Sequence, residues 1–174
     1  MFKFLYFFCV ALRIILAPLI FLFPVPIVLT LFFLDAIDGE LASKKVLTLE
    51  QYEKLDKALD FWQYTNEIAF AATNLKTYFP FLIILFIYRM IGEVMFFFKN
   101  NRKILVFFPN FFENVFLLIF LATYFKQLNF LITNNFYIYL IIVCILKIIQ
   151  EWWLHWKKLS TMEVFFHQKK NWKV

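Results

Sequence analysis

Aspartate is rare in this chain. Only four of its 174 residues are Asp, namely Asp35, Asp38, Asp56 and Asp60, and none lies outside that interval. Glycine occurs twice and proline five times, too few for long flexible linkers. Cysteine also occurs twice. Cys9 and Cys144 lie far apart in apolar runs without CxxC spacing. That excludes a disulfide framework and a cysteine zinc site, and leaves both as packing residues. Charged residues make up 17% of the chain, against roughly 25% in a soluble domain.

Apolar residues fill the difference. The chain is 63% hydrophobic and carries 27 Phe, where a soluble domain has about 45–50% apolar residues. The bilayer is the expected solvent. The Phe excess reads as compositional bias plus lipid-facing surface. The length suits one membrane domain, residues 1–174. The net charge is +6. No basic stripe interleaves with aromatics outside the apolar segments, so nucleic acid is not an expected partner. Cytoplasmic loops of membrane proteins carry this kind of excess.

At about 20 apolar residues per span, the chain reads as an all-α integral membrane bundle of about six transmembrane helices. Their expected positions are about 2–23, 27–43, 51–73, 79–98, 110–126 and 135–158, with a basic tail over about 157–174. The first run starts like a signal peptide, but Arg13 interrupts it and no small-x-small pattern precedes Pro24. It reads as a retained helix. With the N-terminus inside, Lys44 and Lys45, then Lys99, Arg102 and Lys103, then the basic tail all fall inside, and both termini are cytoplasmic. The outer loops hold only Lys76 and Lys126, as the positive-inside rule requires. A five-helix arrangement with the N-terminus outside keeps the same loops inside and stays open. Trp152, Trp153 and Trp156 read as an aromatic belt, and His155 and His167 as interfacial residues.

The aspartates interrupt this pattern. Asp35 lies nine residues after Pro26, so it sits about 14 Å below the outer end of its helix at about 1.5 Å per residue. Asp35 and Asp38 are spaced i, i+3, and Asp56 and Asp60 i, i+4. Each pair therefore shares one helix face. A short polar loop joins the two helices, so four carboxylates can converge across one antiparallel pair. Each charge costs at least about 2.5–3.5 kcal/mol at the bilayer centre. A divalent cation, or two, removes that cost and the mutual repulsion. Oxygen-only ligands suit Mg²⁺, Mn²⁺ or Ca²⁺, and two metals can clamp a transferring phosphoryl group. Helix-end carboxylates at a water interface are the simpler account, and suffice for Asp56 alone. Four at paired helical spacing, with Asp absent elsewhere, favour a site.

The stretch reads Asp35-x2-Asp38-Gly39-x2-Ala42-Ser43-x8-Tyr52-x3-Asp56-x3-Asp60. It resembles the signature of the CDP-alcohol phosphatidyltransferases, D-x2-D-G-x2-A-R-x8-G-x3-D-x3-D, at every spacing. Upstream, ALRIILAPL is similar to the start of that family's first helix. The resemblance implies an integral membrane phosphotransferase. It would move a phosphatidyl or related phospho-alcohol group from a CDP-alcohol lipid donor to an alcohol acceptor, with release of CMP. It also implies Mg²⁺ or Mn²⁺, two ions, held by Asp35, Asp38, Asp56 and Asp60. Asp60 would double as general base on the acceptor hydroxyl. Gly39 and Ala42 would leave room for the nucleotide, with Ser43 and Tyr52 lining it. The family is often dimeric, so a homodimer is implied too.

Ser43 stands where the family has Arg, and Tyr52 where it has its second Gly. Those replacements favour a second reading, a catalytically impaired relative that serves as a membrane scaffold. A third is a prenyltransferase that binds diphosphate through acidic pairs on two helices. Arg89 and Glu93, at i, i+4, read equally as a phosphate-binding Arg with its neighbour or as a buried ion pair. Arg102 and Lys103 are candidates for an acceptor phosphate or a lipid headgroup, with topogenic charge as the plainer role. Asn66, Glu67, Asn74, Glu113 and Asn114 read as hydrogen-bonding polar residues between helices.

Overall fold

The computed structural model describes residues 1–152 together with Trp172 and Lys173. The chain divides into two units, and the division falls inside one helix, after Phe70. No strand occurs among the described residues, so the all-α expectation holds.

In the first unit, α1 covers Phe2–Leu16 and tightens into a 3₁₀ turn over Ala17–Phe21. Pro18 explains the change. It has no N–H to give to the Ile14 carbonyl, and its ring disfavours a continued α-helix. The Trp62 indole donates to that carbonyl instead, at 3.0 Å. Helix α2, Pro24–Ala42, carries Pro at its first positions, where a missing N–H costs nothing and φ is already helical. It therefore starts three residues earlier than the expected 27.

Helix α3, Leu49–Asn74, opens on a reciprocal cap. Thr48 Oγ1 accepts from the Gln51 N–H, and Gln51 Oε1 accepts from the Thr48 N–H, each at 3.2 Å. This capping box satisfies two of the four donors that a helix start leaves open. The hydrophobic centre of the unit gathers Tyr6, Val10, Ala42 and Leu59, with Tyr52, Leu55 and Trp172 packed against it. Cys9 is buried, and its thiol points to the Leu34 carbonyl.

The second unit begins at Ala71. Helix α4 runs Phe79–Lys99 and ends on Asn100 in the left-handed region, φ 48°, whose N–H bonds the Phe96 carbonyl at 2.7 Å. Short α5, Lys103–Phe107, is pinned back onto α4. The Tyr88 hydroxyl donates to the Phe107 carbonyl, and Arg89 Nη1 donates to the Phe108 carbonyl at 2.8 Å. Helix α6, Phe111–Tyr124, is capped by Asn110. Its Phe112, Phe116, Phe120 and Tyr124 rings stack one turn apart. Short α7, Phe130–Thr133, and α8, Phe136–Glu151, complete the unit.

Six long helices thus stand close to the expected positions. Two are long and apolar enough to cross a membrane, Phe2–Phe21 with its 3₁₀ extension and Phe79–Lys99. A third qualifies if Phe111–Tyr124 and Lys126–Thr133, bent by 118°, form one broken span. Helices α2 and α3 carry too much charge to join them. Helices α6 and α8, at 14 and 16 residues, are shorter than the roughly 20 that a straight span needs. Exposed apolar residues such as Phe4 and Phe8 on α1, and Ile84, Ile87 and Ile91 on α4, suit a lipid boundary. Trp153, Trp156, His155, His167 and most of the basic tail lie outside the described residues.

Gly92 is where α4 and the segment after α5 come closest. A Cβ on Gly92 would stand 2.3 Å from Phe108 Cβ and 2.8 Å from Phe108 Cγ, so the Phe108 backbone attachment itself would have to move. Gly92→Ala should therefore destabilise by about 1–3 kcal/mol, the usual cost of overpacking. Thermal unfolding in detergent checks this, and Phe108→Gly, which removes the clashing Cβ, should restore part of the loss in the same chain.

Candidate metal centre

The four aspartates meet in the first unit, as their spacing predicts. Asp35 and Asp38 come from α2, and Asp56 and Asp60 from α3. Asp38 and Asp60 are nearly sealed, with side chains 1% and 3% exposed, while Asp56 is 12% and Asp35 31% exposed. Asp35 thus marks the open side of the cluster.

At its centre is a residue from a third helix. Arg13 of α1 is fully buried and reaches all four carboxylates. Its Nη2 lies 2.9 Å from Asp35 Oδ1 and 3.0 Å from Asp60 Oδ1. Its Nη1 bonds Asp38 Oδ2 and stands 3.8 Å from Asp56 Oδ1. A guanidinium suits this position because its planar fork serves several oxygens at once. Lys57 adds a second cation. Its Nζ is 2.8 Å from Asp56 Oδ2 and also bonds Asp60 Oδ2.

Sequence reasoning assigned neither cation to the site. The signal for Arg13 was present, since an Arg inside an apolar helix must pair or line a cavity. Its partners lie far along the chain, so spacing alone does not identify them. Lys57 reads as an ordinary neighbour of Asp56 until its ammonium is seen to face both acids on α3.

Tyr52, where the signature has glycine, supplies a hydroxyl as well as bulk. That oxygen is 3.0 Å from Asp38 Oδ1 and 3.3 Å from Asp56 Oδ1. One proton serves both carboxylates and holds the α2 acid to the α3 acid. The Tyr52 ring packs against Trp172, with centroids 5.3 Å apart, and against the core around Ala42. Gly39, Ala42 and Ser43 are all buried here, and the Ser43 hydroxyl donates to the Glu40 carbonyl at 2.8 Å.

Tyr6 is another residue the sequence did not flag. Its side chain is 0% exposed and its hydroxyl has no hydrogen-bond partner. The charges of Asp38 and Asp56 both act on it. An unsatisfied buried hydroxyl costs about 1–3 kcal/mol. Tyr6 is thus a donor without an acceptor at the edge of the acidic cluster.

The residues fit a divalent cation. Asp35, Asp38 and Asp56 can each offer one carboxylate oxygen, and these three lie within 4.8 Å of one another. Opposite ligands of a six-coordinate Mg²⁺ stand about 4.2 Å apart, from bonds of about 2.1 Å. Closing the triad on an ion therefore requires the Arg13 guanidinium, now bonded to Asp35 and Asp38, to give way, and the orphaned Tyr6 hydroxyl has a use once a ligand brings an acceptor.

The other candidates belong to the second unit. Arg89 Nε pairs with Glu93 Oε1 at 3.0 Å, both side chains 2% exposed, so the ion-pair reading describes its geometry. Arg102 is half-buried and Lys103 exposed. Glu113 caps α6 through Asn110 and lies 3.9 Å from Lys147, which also pairs with Glu151 at 3.4 Å. In the first unit, Glu67 accepts from Gln63 at 2.9 Å, and Asn66 donates to the Trp62 carbonyl within its own helix. No family model matches the chain, and no curated protein or solved structure matches it either.

Tyr52→Phe keeps the ring and removes the shared hydroxyl. A hydrogen bond to a charged group contributes about 1.5–3 kcal/mol, and the loss here leaves Asp38 and Asp56 to repel each other. The unfolding midpoint in chelator should fall accordingly. An unchanged midpoint would show that the bridge between α2 and α3 carries no weight.

Proposed function

We propose that this protein is a divalent-metal-dependent membrane phosphotransferase of the CDP-alcohol type. It moves a phosphatidyl or related phospho-alcohol group from a CDP-alcohol lipid to an alcohol acceptor. One observation carries the reading: the four aspartates of the signature spacing converge from two helices, and three of them form a triad able to hold a metal. In this reading the six long helices are transmembrane, both termini are cytoplasmic, and Asp35 faces the entry to the site. Arg102 and Lys103 meet lipid headgroups at the membrane surface.

A divalent cation bound by the triad would draw charge from the donor's pyrophosphate oxygens. The chain's own groups do the rest. The acceptor oxygen forms a bond to the β-phosphorus, the bond from that phosphorus to the bridging oxygen breaks, and CMP leaves with that oxygen. The acceptor's proton passes to Asp60. As Asp60 stands, its two oxygens are bonded to Arg13 and Lys57, so neither faces an acceptor hydroxyl. The donor's phosphates compete for the same two cations, so donor binding frees Asp60. Tyr52 narrows the space against Ala42 where the nucleotide lies, and Trp172 beside it offers a second ring face.

The second reading is a relative that keeps the cluster for folding and acts as a membrane scaffold. It is favoured by the cations already filling the site and by the Tyr52 bridge across it.

Release of CMP from CDP-diacylglycerol by detergent-purified protein separates the two. With Mn²⁺ and a mixture of alcohol acceptors, wild type should release CMP. Asp60→Asn should reduce the rate by roughly 10²–10⁴-fold, the usual share of a general base. Asp56→Asn should abolish tight Mn²⁺ binding. If wild type binds Mn²⁺ but the CDP-lipid neither strengthens that binding nor yields CMP, the scaffold reading stands.

A further inference from the structure

Tyr52 and Tyr6 both stand near the acids of the first unit, and their hydroxyls differ. The Tyr52 oxygen is 3.0 Å from Asp38 Oδ1 and 3.3 Å from Asp56 Oδ1. The Tyr6 hydroxyl has no hydrogen-bond partner among the described residues, although the side chain is fully buried. Folded proteins leave few buried polar groups unsatisfied, and each one calls for a reason.

Packing does not supply that reason. Helix α1 carries four Phe, and Tyr6 is its one tyrosine. A Phe ring would fill the same space beside Val10, Ala42 and Leu59 without burying a hydroxyl. The position does supply a reason. Tyr6, Val10 and Arg13 are spaced i, i+4 and i+7, so they share one face of α1, and all three are buried. That face meets Ala42 of α2 and Leu59 of α3, the two helices that carry the acids. Arg13, two turns along, reaches all four carboxylates, and its Nε is also buried without an acceptor. The charges of Asp38 and Asp56 act on Tyr6. One helix face thus brings two unused donors to the edge of the cluster.

We propose that Tyr6 is a ligand contact, its hydroxyl donating to a phosphate oxygen of a diphosphate seated at the aspartates. The Tyr6 hydroxyl can donate and Arg13 Nε can only donate, so both call for an acceptor. Phosphate oxygens accept strongly from hydroxyl and guanidinium groups. A phosphate beside ionised carboxylates needs a cation between them, and Asp35, Asp38 and Asp56 can hold it. The hydroxyl is sealed from bulk water, so its acceptor arrives with the ligand. The unbound protein carries the cost of an unsatisfied hydroxyl, and ligand binding removes it. This inference rests on the metal-dependent reading of the site and adds to it a residue outside the signature stretch.

The test compares wild type, Tyr6→Phe and Tyr52→Phe as full chains in detergent. The measurements are the unfolding midpoint in chelator, the affinity for Mn²⁺, and the affinity for pyrophosphate at saturating Mn²⁺, with cytidine as the control ligand. Tyr6→Phe should keep or raise the midpoint, whereas Tyr52→Phe lowers it. Tyr6→Phe should bind Mn²⁺ as wild type does and pyrophosphate about tenfold more weakly, the weight of one hydrogen bond to a charged oxygen. A midpoint lowered as in Tyr52→Phe would show that the hydroxyl serves folding, and an unchanged pyrophosphate affinity would show that no phosphate reaches it. Either result overturns the inference, as does a loss confined to cytidine. Wild type that binds Mn²⁺ but no pyrophosphate would also overturn it and leave the metal site standing. Wild type that binds no Mn²⁺ would remove the metal-dependent reading itself, and this inference with it.

Discussion

A guanidinium held among four carboxylates sets the arrangement of the first unit. Helix α1 brings the positive charge, and α2 and α3 bring two negative charges each. None of these helices can hold its ionised groups in lipid alone at low cost. Together they bury a partly neutralised cluster, and breaking it by removing one partner is far costlier than its net contribution suggests. The reciprocal cap at Thr48 and the Tyr52 bridge work in the same direction, since both fix the start of α3 relative to the end of α2. The same charges explain why α2, though mostly apolar, is not by composition a membrane span.

The second unit treats its charges differently. Arg89 is balanced by Glu93 one turn away and by the Phe108 carbonyl. Lys147 stands between Glu113 and Glu151. These are contacts between opposite charges that hold neighbouring helices and the loop before α6 together. In the first unit, acids from two helices converge on one guanidinium from a third.

Much of this was legible in the sequence. The i, i+3 and i, i+4 spacings placed each acidic pair on one face, and the short loop brought the pairs together. The apolar runs gave the helices, and Pro24 marked the break between the first two. What stayed hidden depends on contacts distant along the chain. Arg13 shows its charge but not its partners. Tyr52 reads as unwelcome bulk, because the hydroxyl's position follows from packing against Ala42 and Trp172. The Tyr6 hydroxyl looks like one more aromatic in an apolar run. The 118° bend after Tyr124 has no Pro or Gly to announce it. Helix length, apolarity and charge point to different numbers of spans.

The bond from Trp62 to the Ile14 carbonyl acts as an axial index between two helices. Sliding α1 along α3 by one residue displaces it about 1.5 Å, enough to break that bond. The neighbouring residue on α1 is Arg13, so the same slip would draw the guanidinium away from Asp60. A proline that merely lacks a proton thus leaves a notch on one helix, and a tryptophan on another engages it. The charge cluster inherits its alignment from a contact that is itself uncharged, so salt and chelators that act on the aspartates leave the index in place.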